Sequence, residues 1–253
     1  MKYFIIWLCC LVPLSLKAKT ERVVDGRSGV VIVFVLETNM FPTSWKQKMV
    51  NAQAYPLKTK EIERSTNIIV KALSKYPKSL LQKYLKKIYI LHHLECYGKR
   101  FGGTNSNDCI YITNQGYKKG YTSRYIEQLF HAEFSSILLQ QNPHLFNFKK
   151  WKKVNADEVQ YDNNGVNVMY KGHTCEKLDS NYHKLGFLNQ YATSTLENDF
   201  NAFAKNLFRD QANFWYVCFK NPRLKQKLRL IVAFYKKLNP QFTMRYFRKL
   251  SLQ

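Results

Sequence analysis

No Cys-x-x-Cys pair occurs anywhere in the 253 residues, which removes the usual framework of a structural zinc site. No G-x-S-x-G run occurs either, so the sharp elbow that exposes a serine nucleophile is missing. Glycine is sparse at 10 residues, and Gly98, Gly102 and Gly103 do not follow a strand and open a helix, the order a phosphate cradle requires. There is no internal repeat and no low-complexity linker, so one domain over residues 19–253 is the simplest parse. Acidic side chains are scarce: 17 Asp and Glu stand against 40 Lys and Arg, a net charge of +23. So strong a positive field favours acidic partners: anionic lipid, acidic polysaccharide, acidic protein or nucleic acid. The cations are spread from Lys46 to Arg248, which suits a generally basic surface better than one patch.

What is present begins with an apolar run. Lys2 precedes residues 3–16, and Leu16-Lys17-Ala18 supplies a small residue for cleavage, the pattern of a secretory signal peptide over residues 1–18. The alternative is an uncleaved N-terminal anchor, although the run is short for a membrane span. Cys9 and Cys10 lack the small residue that precedes a lipidated cysteine, so they belong to the run. Export to the periplasm, cell envelope or medium places nucleic acid last among the acidic partners and leaves an anionic envelope surface among them. Four cysteines follow the signal, and Cys96 and Cys109, which flank a turn-rich segment, are the expected disulfide pair.

Along the chain, residues 29–36 (GVVIVFVL) read as a strand, and Ser44-Trp-Lys-Gln47 has capping-box spacing for a short helix. Helices are expected over 61–75 and 79–87, then strands over 88–97 and 109–113. His92 and His93 are adjacent on a strand and so point to opposite faces. The basic-aromatic run 146–154 (FNFKKWKKV) reads as a packing segment rimmed by lysines or as a sugar- or membrane-facing one. A turn at 162–165 and a strand over 166–170 follow. His173 and Cys175 share a strand-like face but lack a second ligand pair. Ser194-Thr-Leu-Glu197 opens a long helix with Glu197 as its cap, and two basic amphipathic helices, 224–234 and 240–250, end the chain.

The most informative stretch is 122–140, TSRYIEQLFHAEFSSILLQ. On a helical period Ile126, Leu129, Phe130, Glu133 and Ile137 share one side, so a carboxylate sits in an apolar stripe. Glu133 is then either buried, with a partner or a raised pKa as befits a general base, or at the stripe's edge in reach of water.

Residues 125–139 (YIEQLFHAEFSSILL) and 186–200 (GFLNQYATSTLENDF) resemble the zinc-binding metallopeptidases exported by bacteria, of the gluzincin type. The GKRFGGTNSN and YKKGYT runs before the helix fit that family's lead-in, and the similarity spans residues 60–210. The resemblance implies an α+β, zincin-like metallopeptidase fold, a small sheet packed on an active-site helix with a helical C-terminal half. In that family H-E-x-x-H supplies two zinc ligands and the general base, and a later D-F-x-E-type motif supplies a third ligand. Here Ala132 and Ser136 stand in the histidine positions, Glu133 matches the base, and Asp199-Phe200 is followed by Ala202 where the ligand belongs.

The expectation is therefore a degenerate, inactive member with no metal cofactor, which binds a peptide or protein in its old cleft. Glu133 is its vestigial base, and His131, Tyr191, Glu197 and Asp199 are its candidate binding residues. His131 is one residue and about 100° of helix turn from the ligand position, so an exposed contact with Glu127 is its plainer role. Two alternatives stand: an active zinc peptidase with non-standard ligands, and a basic envelope protein that binds anionic lipid or glycan.

Overall fold

A computed structural model describes residues 21–161, 175–209 and 212–250. The signal segment 1–18, with Cys9 and Cys10, the turn at 162–165, the strand at 166–170 and His173 lie outside the described residues.

The N-terminal half alternates strands with helices: β1 (Arg22–Val24), β2 (Val31–Val33), β3 (Gln53–Pro56), α1 (Ile62–Leu73), α2 (Lys78–Tyr84) and β4 (Lys87–Cys96). The short β5 (Lys99–Arg100) and β6 (Gly103–Ser106) follow, then β7 (Cys109–Thr113) and the long α3 (Ser123–Gln141). The C-terminal half is helical: α4 (Phe148–Lys153), α5 (Ser180–His183), α6 (Leu196–Phe208), α7 (Ala212–Lys220), α8 (Pro222–Leu238) and α9 (Met244–Leu250).

The strands make one mixed sheet in the order β1-β2-β4-β7-β6, with β3 and β5 each pairing β4 antiparallel. The inner strands β2, β4 and β7 are parallel, and β1 and β6 run antiparallel to them at the edges. Strand β4 is apolar on both sides because both its faces are covered. Ile88 and Ile90 enter the main core with the helices, while Tyr89 and Leu91 pack on the other face with Val33, Met40 and Tyr111. Helix α3 packs on β6 and β7 and is flanked by α1 and α6. This sandwiching places one of its faces at the sheet's β6 edge.

Several local expectations give way to tertiary geometry. The strands at 88–97 and 109–113 are neighbours, but parallel, and Cys109 pairs in register with Lys87. Cys96 is at the far end of β4, roughly 30 Å away at the usual rise per residue, so no disulfide joins the two. All four described cysteines are free. His92 and His93 do not point apart: β3 pairs Tyr55 with His93 but Pro56 with Leu91, so His92 is the extra residue of a bulge. Their rings lie 4.4 Å apart. Residues Thr43–Lys46 form a single 3-10 turn entered from Pro42 without a side-chain cap, in place of the capping box at Ser44. Helix α6 starts one residue later than its capping-box spacing suggests, because Thr195 Oγ1 takes the Asn198 N–H at 3.0 Å. Ser194 Oγ instead donates to Tyr191 O at 2.6 Å.

Candidate functional site: a cleft along the central helix

Thr122 caps α3 by accepting the Tyr125 N–H at 3.2 Å, and the helix that follows has three distinct faces. Ile126, Phe130, Phe134 and Ile137 are buried in the main core. Glu127, His131 and Ser135 form a second buried face. Tyr125, Gln128, Leu129, Ala132 and Glu133, at i, i+3, i+4, i+7 and i+8, line an open cleft of about 940 Å³. Glu133 thus lies at the edge of the apolar stripe, half-buried, with its head in the cleft.

The near wall of the cleft is the β5–β6 edge. A Cβ on Gly103 would meet Glu133 Oε1 at 3.0 Å, and one on Gly102 would meet the Tyr125 hydroxyl at 2.7 Å. Glycine at both positions leaves room for these two side-chain ends. Two residues on and therefore on the same strand face, Asn105 Nδ2 donates to Glu133 Oε2 at 2.7 Å. The far wall is α6, whose Asn198, Asn201, Ala202 and Lys205 fall at i, i+3, i+4 and i+7, joined by Tyr191. Lys205 forms an ion pair with Glu176 within the cleft lining.

No described cation is paired with Glu133. Burial pushes its pKa from the ordinary 4.5 up to about 8, the charges of Glu197 and Glu176 add to the rise, and the Asn105 hydrogen bond offsets part of it. Glu133 is therefore mostly a neutral acid at pH 7, an O–H donor as well as an acceptor. Burial also raises Tyr191, with help from Glu176 and Glu133, so its phenol keeps its proton.

The candidate residues separate. Glu133 and Tyr191 both line the cleft. His131 does not: it is wholly buried, its ring stacked on Phe208 with centroids 5.1 Å apart and its Nδ1 3.0 Å from the Tyr76 hydroxyl. Its contact with Glu127 exists at 3.7 Å but is buried rather than exposed, because α1 and α6 close over that face. Burial pushes His131 down to about 4, so it is neutral. Asp199 also faces the core. Its Oδ2 accepts from Lys227 Nζ at 2.5 Å, Tyr161 Oη at 2.6 Å and Trp151 Nε1 at 2.8 Å. Burial raises Asp199 and lowers Lys227, and each is steadied by the other's charge. Glu197, in the first turn of α6, accepts from Gln140 Nε2 at 3.1 Å and acts on Glu133 only through its charge.

The three positions that the resemblance assigns to metal ligands do converge. Ala132 and Ala202 line the cleft from opposite walls, and Ser136 lies behind them with its Oγ accepting from Asn201 Nδ2 at 2.7 Å. These residues do not fit a zinc ion, since two methyl groups and a hydroxyl already engaged by an amide offer no imidazole or carboxylate donor. Among the described residues no group of three or more His, Cys, Asp or Glu is placed to hold an ion.

Sequence reasoning missed Asn105, Gly103, Asn198 and Asn201 as cleft residues. The Gly-x-Asn alternation at 103–105 and the helical spacing of Asn198, Asn201 and Lys205 were the available signals.

No family model matches the sequence, and no curated protein matches it. Among solved structures, that of a putative zinc-binding metallo-peptidase from Bacteroides caccae is similar, with a TM-score of 0.54. The match covers 85% of this chain and 82% of that one at 14% identity. The chain has a metallopeptidase-like fold. At so low an identity the likeness is one of architecture, a mixed α/β arrangement with a small mixed sheet.

Proposed function

We propose that this is an exported protein whose zincin-like cleft, of gluzincin ancestry, holds an extended polypeptide without hydrolysing it. The observation that carries the reading is the donor set around Glu133: Ala132, Ser136 and Ala202, with the acid itself held neutral. Peptide hydrolysis needs an electrophile on the carbonyl and a base on the water, and a protonated Glu133 among methyl groups supplies neither. The same cleft is well provided for main-chain amides. Gln128, Asn198 and Asn201 line it, Asn201 Oδ1 is buried without a partner, and β6 is a sheet edge of the kind that extended peptides join. Export rests on the N-terminal apolar run, and a single domain over 19–253 on the absence of any linker composition in the sequence.

Fluorescence anisotropy with a pool of unstructured ten-residue peptides, run with and without added zinc and followed by mass spectrometry, tests this. The expected result is saturable binding, weakened at least tenfold in Gly103→Leu, with every peptide recovered intact. One equivalent of bound zinc together with cleavage that disappears in Glu133→Gln would overturn the reading. Absence of binding across the pool would overturn its peptide part.

A further inference from the structure

Outside the cleft, the C-terminal helices carry a second surface. From residue 212 to 250 the chain has ten Lys and Arg and no Asp or Glu. Several of these cations serve the fold: Lys227 is buried on Asp199, Arg223 binds the carbonyls of Val154 and Asn155 at 2.9 and 3.2 Å, and Lys237 Nζ donates to Leu145 O at 3.0 Å. Others do not. Lys225 and Arg229 of α8, with Lys150 of α4, line a groove of about 540 Å³, and none of the three forms an ion pair among the described residues. Besides Gln226, the rest of the groove is apolar, from Pro222, Leu230 and Ala233. Lys225 Nζ also lies 5.7 Å from the Phe219 ring, which extends the surface onto α7. There Phe219 is 39% and Tyr216 61% exposed, the latter under Lys220 Nζ at 5.7 Å.

A polyanion such as a nucleic acid or an acidic glycan would need only the cations. An apolar groove rimmed by unpaired cations and bordered by exposed rings matches an amphiphile, whose phosphate meets the lysines while the rings enter the headgroup boundary. We propose that the α4–α7–α8 surface docks on an anionic phospholipid bilayer. This proposal is independent of what the cleft holds.

The test is sedimentation of the full chain with phosphatidylcholine vesicles, with and without phosphatidylglycerol, at low and high salt. Binding is expected only to the anionic vesicles and should fall as salt rises. The triple variant Lys150→Gln, Lys225→Gln, Arg229→Gln should weaken it about a hundredfold, near fivefold per cation. A charge-matched triple at the exposed Lys48, Lys118 and Lys119 should leave it within about twofold. Tyr216→Ser with Phe219→Ser, which changes no charge, should weaken vesicle binding severalfold but leave heparin binding unchanged. All replaced side chains are exposed or half-buried, and an unchanged melting temperature confirms each fold. Equal losses in both triples would reduce the effect to net charge and overturn the proposal. Heparin or RNA binding as tight as vesicle binding, with no effect of the aromatic pair, would overturn it in favour of a polyanion site.

Discussion

Glu127 and Glu133 stand on the same helix less than two turns apart, the first buried and the second half-buried at a cleft, and their pKa values shift in opposite directions. Burial alone would raise Glu127, but hydrogen bonds and charge from His131 and Lys75 take it down to about 2. Lys75 Nζ is 2.6 Å from its Oε1 and Arg209 Nε 2.7 Å from its Oε2. His131 is itself neutral near pH 7, so in neutral solution Lys75 is the charged group behind that shift. Glu133 is also desolvated, but with one neutral amide for a partner it rises to about 8. Burial is common to both, and the presence or absence of a cation decides the sign. One carboxylate is consequently a structural anion that pins the ends of α1 and α6 to α3, and the other is a neutral group facing a cleft.

The comparison breaks most visibly at its structural member. Glu127→Gln leaves Lys75 and Arg209 charged around a neutral amide, and the expected loss is about 3–5 kcal/mol in denaturant unfolding at pH 7. The loss should shrink on acidification. A carboxyl lowered from 4.5 to about 2 contributes stability present above pH 4.5 and lost as the pH falls towards 2. A loss that stays constant between pH 6 and 2 would remove the charge assignment.

Glu133→Gln should do the reverse, since it keeps the neutral form that the fold prefers. With the folded pKa above the unfolded one, wild-type stability falls as the pH climbs from 4.5 to 8. The variant should match wild type at pH 4 and exceed it by on the order of 4 kcal/mol at pH 8.5. A destabilised variant at pH 8.5 would mean that Glu133 is held as an anion.

Gly103→Ala sharpens the contrast at smaller cost. Its methyl group would meet Glu133 Oε1 at 3.0 Å, so the acid must shift by a few tenths of an ångström. A loss of about 1 kcal/mol is expected, together with a downward move of the Glu133 pKa towards 4.5 as the displaced head gains water. Carbon-detected NMR titration of the carboxyl reads that shift, and a pKa unmoved from wild type would contradict it.

The elements themselves were largely readable in order. Residues 109–113 form the strand that their β-branched run predicts, and α1, α3 and α8 match their apolar spacing to within a few residues. Helix α7 was missed, because ANFWYVCFK is apolar nearly all round and shows no helical stripe. The short edge strand β6, made of Gly, Thr, Asn and Ser, carries no apolar alternation and took its identity from pairing with β7. At the site, periodicity located Glu133, but it left both His131 and Asp199 as candidate cleft residues, and packing puts both in the core. What removes Asp199 is Lys227, 28 positions later on another helix.

Local pattern was enough to mark the helix and the acid in its apolar stripe, because a repeat of 3.6 residues is written in the residues themselves. Which acid would be charged was settled by packing. The cations beside Glu127 arrive from the segment just after α1 and from the residue after α6, and the wall beside Glu133 from a strand 28 residues earlier. An electrostatic sign set by contacts between distant segments has no counterpart in the order of the chain.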